Sequence, residues 1–133
     1  MEISASALWT DKDRFIGISS SGHAIVVDAG VEKTANSPME LVLIGLCSCT
    51  AVDVVSILRK KRESFTSVEV SAETKRAPEP PKVYTRIKLV YRVGGKVNRK
   101  SVEDAIRLSM DKYCSVEAML KKTAEMTYEI VLD

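Results

Sequence analysis

Cys47, Cys49 and Cys114 are the residues of this 133-residue chain best suited to covalent chemistry. A thiolate can act as nucleophile, metal ligand or redox centre, and its neighbours decide which. A zinc site does not fit, because Cys47-Ser48-Cys49 lacks ligand spacing, Cys114 is distant, and His23 is the one histidine. Residues two apart on a helix point about 200° from each other, so Cys47 and Cys49 cannot bond without unwinding. Reactive thiols or inert core thiols remain, and Cys47 reads as a small buried hydrophobe. Cys114 sits just before a short helix and near Lys112, which nominates it as the more acidic thiol. Cys49 lies in an apolar helix with Asp53 one turn on. It is expected to keep its proton unless a cation arrives from elsewhere in the fold.

The elements that must position these thiols follow from periodicity. Residues 3–9 alternate, Asp11-Lys12-Asp13 turns the chain, Arg14–Ser19 forms a second strand, and His23–Asp28 a third after Ser20-Ser21-Gly22. Residues 29–36 read as a loop. Ser37-Pro38-Met39-Glu40 announces a helix: serine caps, proline suits the first turn, and Glu40 closes a capping box. The helix is apolar nearly all round, from Leu41 to Leu58, which calls for cover on several sides and suggests a partner subunit. Val68 to Thr74 and Val83 to Val93 alternate as two strands of a long hairpin across Pro78-Glu79-Pro80-Pro81. Ser101-Val102-Glu103-Asp104 is expected to cap a second helix whose apolar face is Val102, Ala105, Ile106, Met110 and Tyr113. A third helix starts near Ser115 with Val116, Met119 and Leu120, and Met126 to Leu132 makes the last strand. The order β-β-β-α-β-β-α-α-β predicts an α+β fold in one domain, residues 1–133.

Composition narrows the partners. Charged residues at 29% and hydrophobic residues at 45% are ordinary for a globular domain. A net charge of +2 gives no reason to expect nucleic acid. Arg59-Lys60-Lys61-Arg62 closes the apolar helix, where it complements the negative end of the dipole. The uncharged apolar run Leu41–Val52 is shorter than the ~20 residues of a membrane span. The opening residues lack a signal-peptide pattern, so the expectation is a cytoplasmic protein without a membrane partner, whose thiols stay reduced.

The run Ser37-Pro-Met-Glu-Leu-Val-Leu-Ile-Gly-Leu-Cys-Ser-Cys-Thr-Ala-Val-Asp-Val54, followed by Asp111-Lys-Tyr-Cys-Ser-Val116, resembles the OsmC/Ohr family of thiol peroxidases acting on organic hydroperoxides. The resemblance implies an OsmC-like fold, with antiparallel sheets around a long buried central helix, and an intertwined homodimer with active sites at the subunit interface. Carried over by position, Cys49 is similar to the peroxidatic cysteine and Cys114 to the resolving one. Glu40 matches the acidic residue that orients an arginine of the N-terminal hairpin, and Arg14 is the hairpin's one arginine. Glu40 stands about 13 Å along the helix from Cys49, so it would act through that arginine. Cys47 inherits no role, and His23 and Asp53 read as structural.

The chemistry implied is attack of the Cys49 thiolate on a hydroperoxide, leaving a sulfenic acid that Cys114 converts to a disulfide, which an external dithiol reduces. Sulfur carries the oxidation, so no cofactor or metal is required. Two rivals keep the same fold. One is a thiol enzyme acting on another electrophile, and the other is a non-catalytic dimer that binds a small apolar ligand with inert cysteines.

Overall fold

A computed structural model describes residues 2–133. The elements are β1 (Ala5–Asp11), β2 (Arg14–Ser19), β3 (Ala24–Asp28), α1 (Pro38–Lys60), β4 (Ser64–Arg76), β5 (Tyr84–Lys96), α2 (Arg99–Leu108), a π-helical turn (Ser109–Tyr113), α3 (Ser115–Leu120) and β6 (Glu125–Leu132). The chain is α+β in the expected order. Within the chain the fold divides into two compact units, one ending at Ile44 and the other beginning at Gly45.

The first unit is the meander β1-β2-β3, both pairs antiparallel. Lys12, at φ +47°, turns β1 into β2, and its carbonyl accepts the Trp9 indole N–H at 2.8 Å. Asp28 at the end of β3 is buried and organises the loop beyond it, accepting the amides of Gly30 (2.8 Å) and Thr34 (3.0 Å) and the Thr34 hydroxyl. These bonds, the Thr34 hydroxyl first, hold the Asp28 carboxyl below its ordinary range. The loop then delivers Ser37 to the helix. The Glu40 amide donates to Ser37 Oγ at 3.2 Å and the Ser37 amide to Glu40 Oε1 at 2.9 Å, so the capping box is formed.

In the second unit β5 lies between β4 and β6. The β4–β5 pair is an antiparallel hairpin, whereas β6 runs parallel to β5, contrary to the all-antiparallel expectation. The physical reason is the connection. The two helices and the π turn between β5 and β6 carry the chain back to its starting end, which a tight hairpin cannot do. Opposite Gly95, at φ +103°, β4 bulges between Phe65 and Ser67. A Cβ at Gly95 would stand 2.5 Å from the Ser64 carbonyl oxygen, so only glycine serves. Ile87, Leu89, Tyr91 and Val93 face inward as their alternation predicts. A second irregularity near Arg76 puts Tyr84 inside in place of Thr85 and leaves Val83 exposed.

Helix α1 buries one stripe in the chain itself: Leu46, Thr50, Val54 and Leu58, spaced by four. Ile44 (48% exposed) and Val52 (66%) stay uncovered. By length and composition α1 could cross a bilayer, which the 12-residue run understated. Yet the middle of its buried stripe is polar. Thr50 Oγ1 lies 2.8 Å from the Tyr91 hydroxyl of β5 and 2.8 Å from Ser109 Oγ of the π turn, and Ser109 donates to Asp53 Oδ2 at 2.8 Å. Helix α2 starts two residues before the expected cap: Asn98 Oδ1 accepts the Lys100 amide at 2.9 Å. Ser101 instead donates to Glu63, whose other oxygen takes the Asn98 amide, so a carboxylate beyond α1 fixes the start of α2. Val102, Ala105 and Ile106 are buried as expected, but Tyr113 is half exposed because the π turn rotates it off the face.

Thr50→Val keeps the shape and removes the bridging hydroxyl, stranding the buried Tyr91 hydroxyl and leaving Ser109 with Asp53 alone. We expect a loss of about 1–3 kcal/mol in urea-denaturation stability, with Thr50→Ser recovering most of it.

Candidate functional site

The second unit brings Cys49 and Cys114 together. Cys49 comes from α1, one residue before Thr50, and Cys114 from the junction of the π turn and α3. Cys49 is half-buried and Cys114 is 2% exposed, and their thiols are close enough to share a hydrogen bond. Both are reduced. Cys114 also caps α3, its Sγ accepting the Glu117 amide at 3.4 Å.

The expectation that Cys114 is the more acidic thiol is overturned. Burial pushes its thiol up to about 12, the Glu117 amide lowers it only in part, and the hydrogen bond and charge of Cys49 and the charge of Glu117 raise it further. A six-residue helix supplies too little dipole to offset a site withdrawn from water. Cys114 is thus built to stay a thiol until another group takes its proton. Burial likewise raises Cys47, in keeping with its reading as a core thiol.

Around the pair stand polar groups not singled out from the sequence. Glu117 is 1% exposed and its carboxyl is raised, by burial first and by Asp111, against the pull of Lys121. Tyr91 is wholly buried, and burial raises its phenol; the charges of Glu117, Cys114 and Cys47 add to the effect. Asp53 takes part through Ser109. Because the carboxylate can only accept, Ser109 spends its proton there, Thr50 must donate to Ser109, and Tyr91 must donate to Thr50. The chain of hydroxyls therefore runs one way, from Tyr91 to Asp53.

Arg14 and Glu40 have partners within the first unit. Both arms of the Arg14 guanidinium are taken by Asp11, Nε to Oδ1 at 3.0 Å and Nη2 to Oδ2 at 2.6 Å, which raises Arg14 and lowers Asp11. Asp28 and Glu32 also act on it, across a cavity of about 190 Å³. Glu40 is engaged by Ser37, whose amide lowers its carboxyl first. Among the described residues the ion-pair partner of Arg14 is Asp11, and Glu40 bonds to Ser37 instead. His23 Nδ1 pairs with Ser21 Oγ at 2.9 Å across an exposed turn, a structural role as read from the sequence.

Residues 30–129 match the family model described as OsmC-like protein. The chain is 41% identical over 130 residues to Protein YhfA of Escherichia coli, covering 96% of this chain and 97% of that one. The chain belongs to the OsmC-like family. A hypothetical protein from Aquifex aeolicus superposes with a TM-score of 0.85 at 34% identity, covering 100% of this chain and 99% of that one. The Organic Hydroperoxide Resistance Protein OhrB of Bacillus subtilis superposes at 0.71 with 11% identity and 98% coverage of both chains, a likeness of fold.

Two signals could have found the missed groups of this OsmC-like chain. Cys114-x-x-Glu117 has capping-box spacing with a thiol as the cap. Tyr91 lies on the inward face of a predicted strand, where a phenol demands a partner.

The raised Cys114 thiol has a consequence for alkaline stability. Above an ordinary thiol pKa near 9 the unfolded chain releases this proton while the folded chain holds it up to about 12. Stability contributed by the thiol is therefore full below pH 9 and is lost as pH rises towards 12. Under reducing conditions the urea midpoint of the native protein should fall more steeply between pH 8.5 and 10.5 than that of Cys114→Ser.

Proposed function

We propose that this protein reduces organic hydroperoxides through Cys49 and Cys114. The observation that carries the reading is their juxtaposition, a half-buried thiol on α1 against a buried thiol on the α3 cap. A nucleophile that can be reached beside a protonated thiol is what a two-step oxidation needs. The Cys49 thiolate attacks the distal oxygen of the hydroperoxide, the O–O bond breaks, and the alkoxide leaves as alcohol once protonated. Cys49 becomes a sulfenic acid. Cys114 displaces its hydroxyl as water, and an external dithiol reduces the resulting disulfide. Neighbours whose names contain organic hydroperoxide resistance support this reading through fold alone. A thiol reaction on another electrophile uses the same pair and is separated by comparing turnover across electrophiles.

Cys49→Ser should abolish consumption of cumene hydroperoxide, while Cys114→Ser should consume one equivalent and stop at a sulfenic acid detectable by mass spectrometry. Steady turnover in Cys49→Ser would overturn the assignment.

Arg14 and Glu40 enter the reading on family resemblance, as the cation favouring the thiolate and the carboxylate orienting it. Arg14 must then leave Asp11, and exposed ion pairs of this kind are weak. Arg14→Met should slow Cys49 oxidation about tenfold or more near pH 7, with the gap closing as pH rises and the thiol ionises unaided. Overlapping pH–rate curves would remove Arg14 from the site.

The working unit is proposed to be a cytoplasmic homodimer. In the second unit Val52, Val83, Leu108 and Met119 are exposed apolar residues, more than a small monomer comfortably leaves in water. Light scattering should give about twice 14.7 kDa at micromolar concentration.

A further inference from the structure

Helix α3 buries a charged residue and exposes an apolar one. Its sequence offers Val116, Met119 and Leu120 to the core, yet its fully buried residue is Glu117, at 1% exposure, while Val116 and Leu120 are half-buried and Met119 is 64% exposed. Among the described residues Glu117 Oε2 has no hydrogen-bond partner. A buried carboxyl with one oxygen unpaired is costly, and Met119 on the same helix shows that an apolar side chain was available. Such violations of local preference concentrate at functional sites. The carboxyl belongs to the turn capped by Cys114, since the Glu117 amide donates to Cys114 Sγ at 3.4 Å. It is also close enough for its charge to act on both Cys114 and Tyr91.

We propose that Glu117 is the proton acceptor that allows Cys114 to attack Cys49. Resting on the reading of these thiols as a redox pair, the step balances as follows. Cys49 holds a sulfenic acid left by an organic hydroperoxide. The Cys114 S–H bond breaks and its proton passes to the Glu117 carboxylate as the Cys114 sulfur attacks the Cys49 sulfur. The S–O bond breaks, and the departing hydroxide takes the proton from Glu117 and leaves as water. Cys114 is oxidised, the sulfenic sulfur is reduced to the disulfide level, and Glu117 ends as it began. Need and means agree. A thiol whose pKa burial has raised so far is almost wholly protonated at neutral pH, so unaided attack is slow. A carboxyl raised by burial is a stronger base than an exposed glutamate.

The test isolates proton removal from peroxide chemistry. In a Cys47→Ala background, 5,5′-dithiobis(2-nitrobenzoate) converts Cys49 to a mixed disulfide, and release of the second thionitrobenzoate at 412 nm reports attack by Cys114. This leaving group departs without a proton. With Glu117 present, the first-order release should rise with the ionisation of one acid and then level off. In Glu117→Gln it should be at least tenfold slower at pH 7 and climb about tenfold per pH unit up to pH 10. Glu117→Asp keeps a carboxyl and should keep the plateau, which guards against a Gln variant that folds poorly. The opposite sign overturns the proposal. If Glu117 acts only through its charge, removing it eases ionisation of Cys114, and Glu117→Gln is as fast or faster with an unchanged profile. Absence of second release with Glu117 present overturns it too. No peroxide is used, so a protein inert to hydroperoxides but showing Glu117-dependent release would refute the peroxidase reading and leave this one standing.

Discussion

One hydroxyl in the otherwise apolar buried stripe of α1 holds the second unit in register. Apolar side chains in a packed stripe tolerate small rotations and slides, because the energy they supply has little directional content. Thr50 removes that freedom. Its oxygen is bonded to Tyr91 on β5 and to Ser109 on the π turn, so helix, sheet and turn meet at one atom. Cys49 is its neighbour in sequence, and Cys114 directly follows the same π turn. The distance between the two sulfurs is therefore set by polar bonds with defined length and angle. The π turn makes this possible by widening one turn of helix, which puts Ser109 inside and Tyr113 outside.

Burial is distributed in this unit according to chemistry as much as hydrophobicity. The interior holds Thr50, Tyr91, Ser109 and Glu117, while Val52, Leu108 and Met119 face outward. The hydroxyls are satisfied by one another and by Asp53, so their burial costs little. Glu117 lacks such compensation at one oxygen. Its charge shifts Cys114 and Tyr91 in the same direction, towards the protonated form.

Much of this was legible in the sequence because it depends on neighbours along the chain. The capping box at Ser37 and Glu40 formed as its spacing required, and the alternation of Ile87 to Val93 placed the right face inward. The pairing of Cys49 with Cys114 was reached through family resemblance, and no spacing rule predicts a meeting of residues so far apart. What failed depended on long-range terms. The acidity of Cys114 was judged from a nearby helix end and Lys112, whereas desolvation by distant elements decides it. Ser101 was read as a cap, but Glu63 had claimed it and Asn98 took the role. The pairing of Arg14 with Asp11 is local by contrast, three residues apart along the chain. The face of α3 was read only in part: Val116 and Leu120 are half-buried as expected, but Met119 is exposed and Glu117, which its charge ranks as solvent-facing, is buried.

The position of β5 has a bearing on how the second unit opens. It is hydrogen-bonded on both edges, antiparallel to β4 and parallel to β6, and Ile87, Leu89, Tyr91 and Val93 are at most 1% exposed. Each flanking strand has one bonded neighbour in this sheet. Peeling away either strand frees only the β5 amides that point to that side, so β5 loses protection along its whole length only when that whole unit comes apart. In deuterium exchange complete isotope uptake along β5 would report opening of the whole unit. Uptake at the outer edges of β4 and β6 would report local fraying.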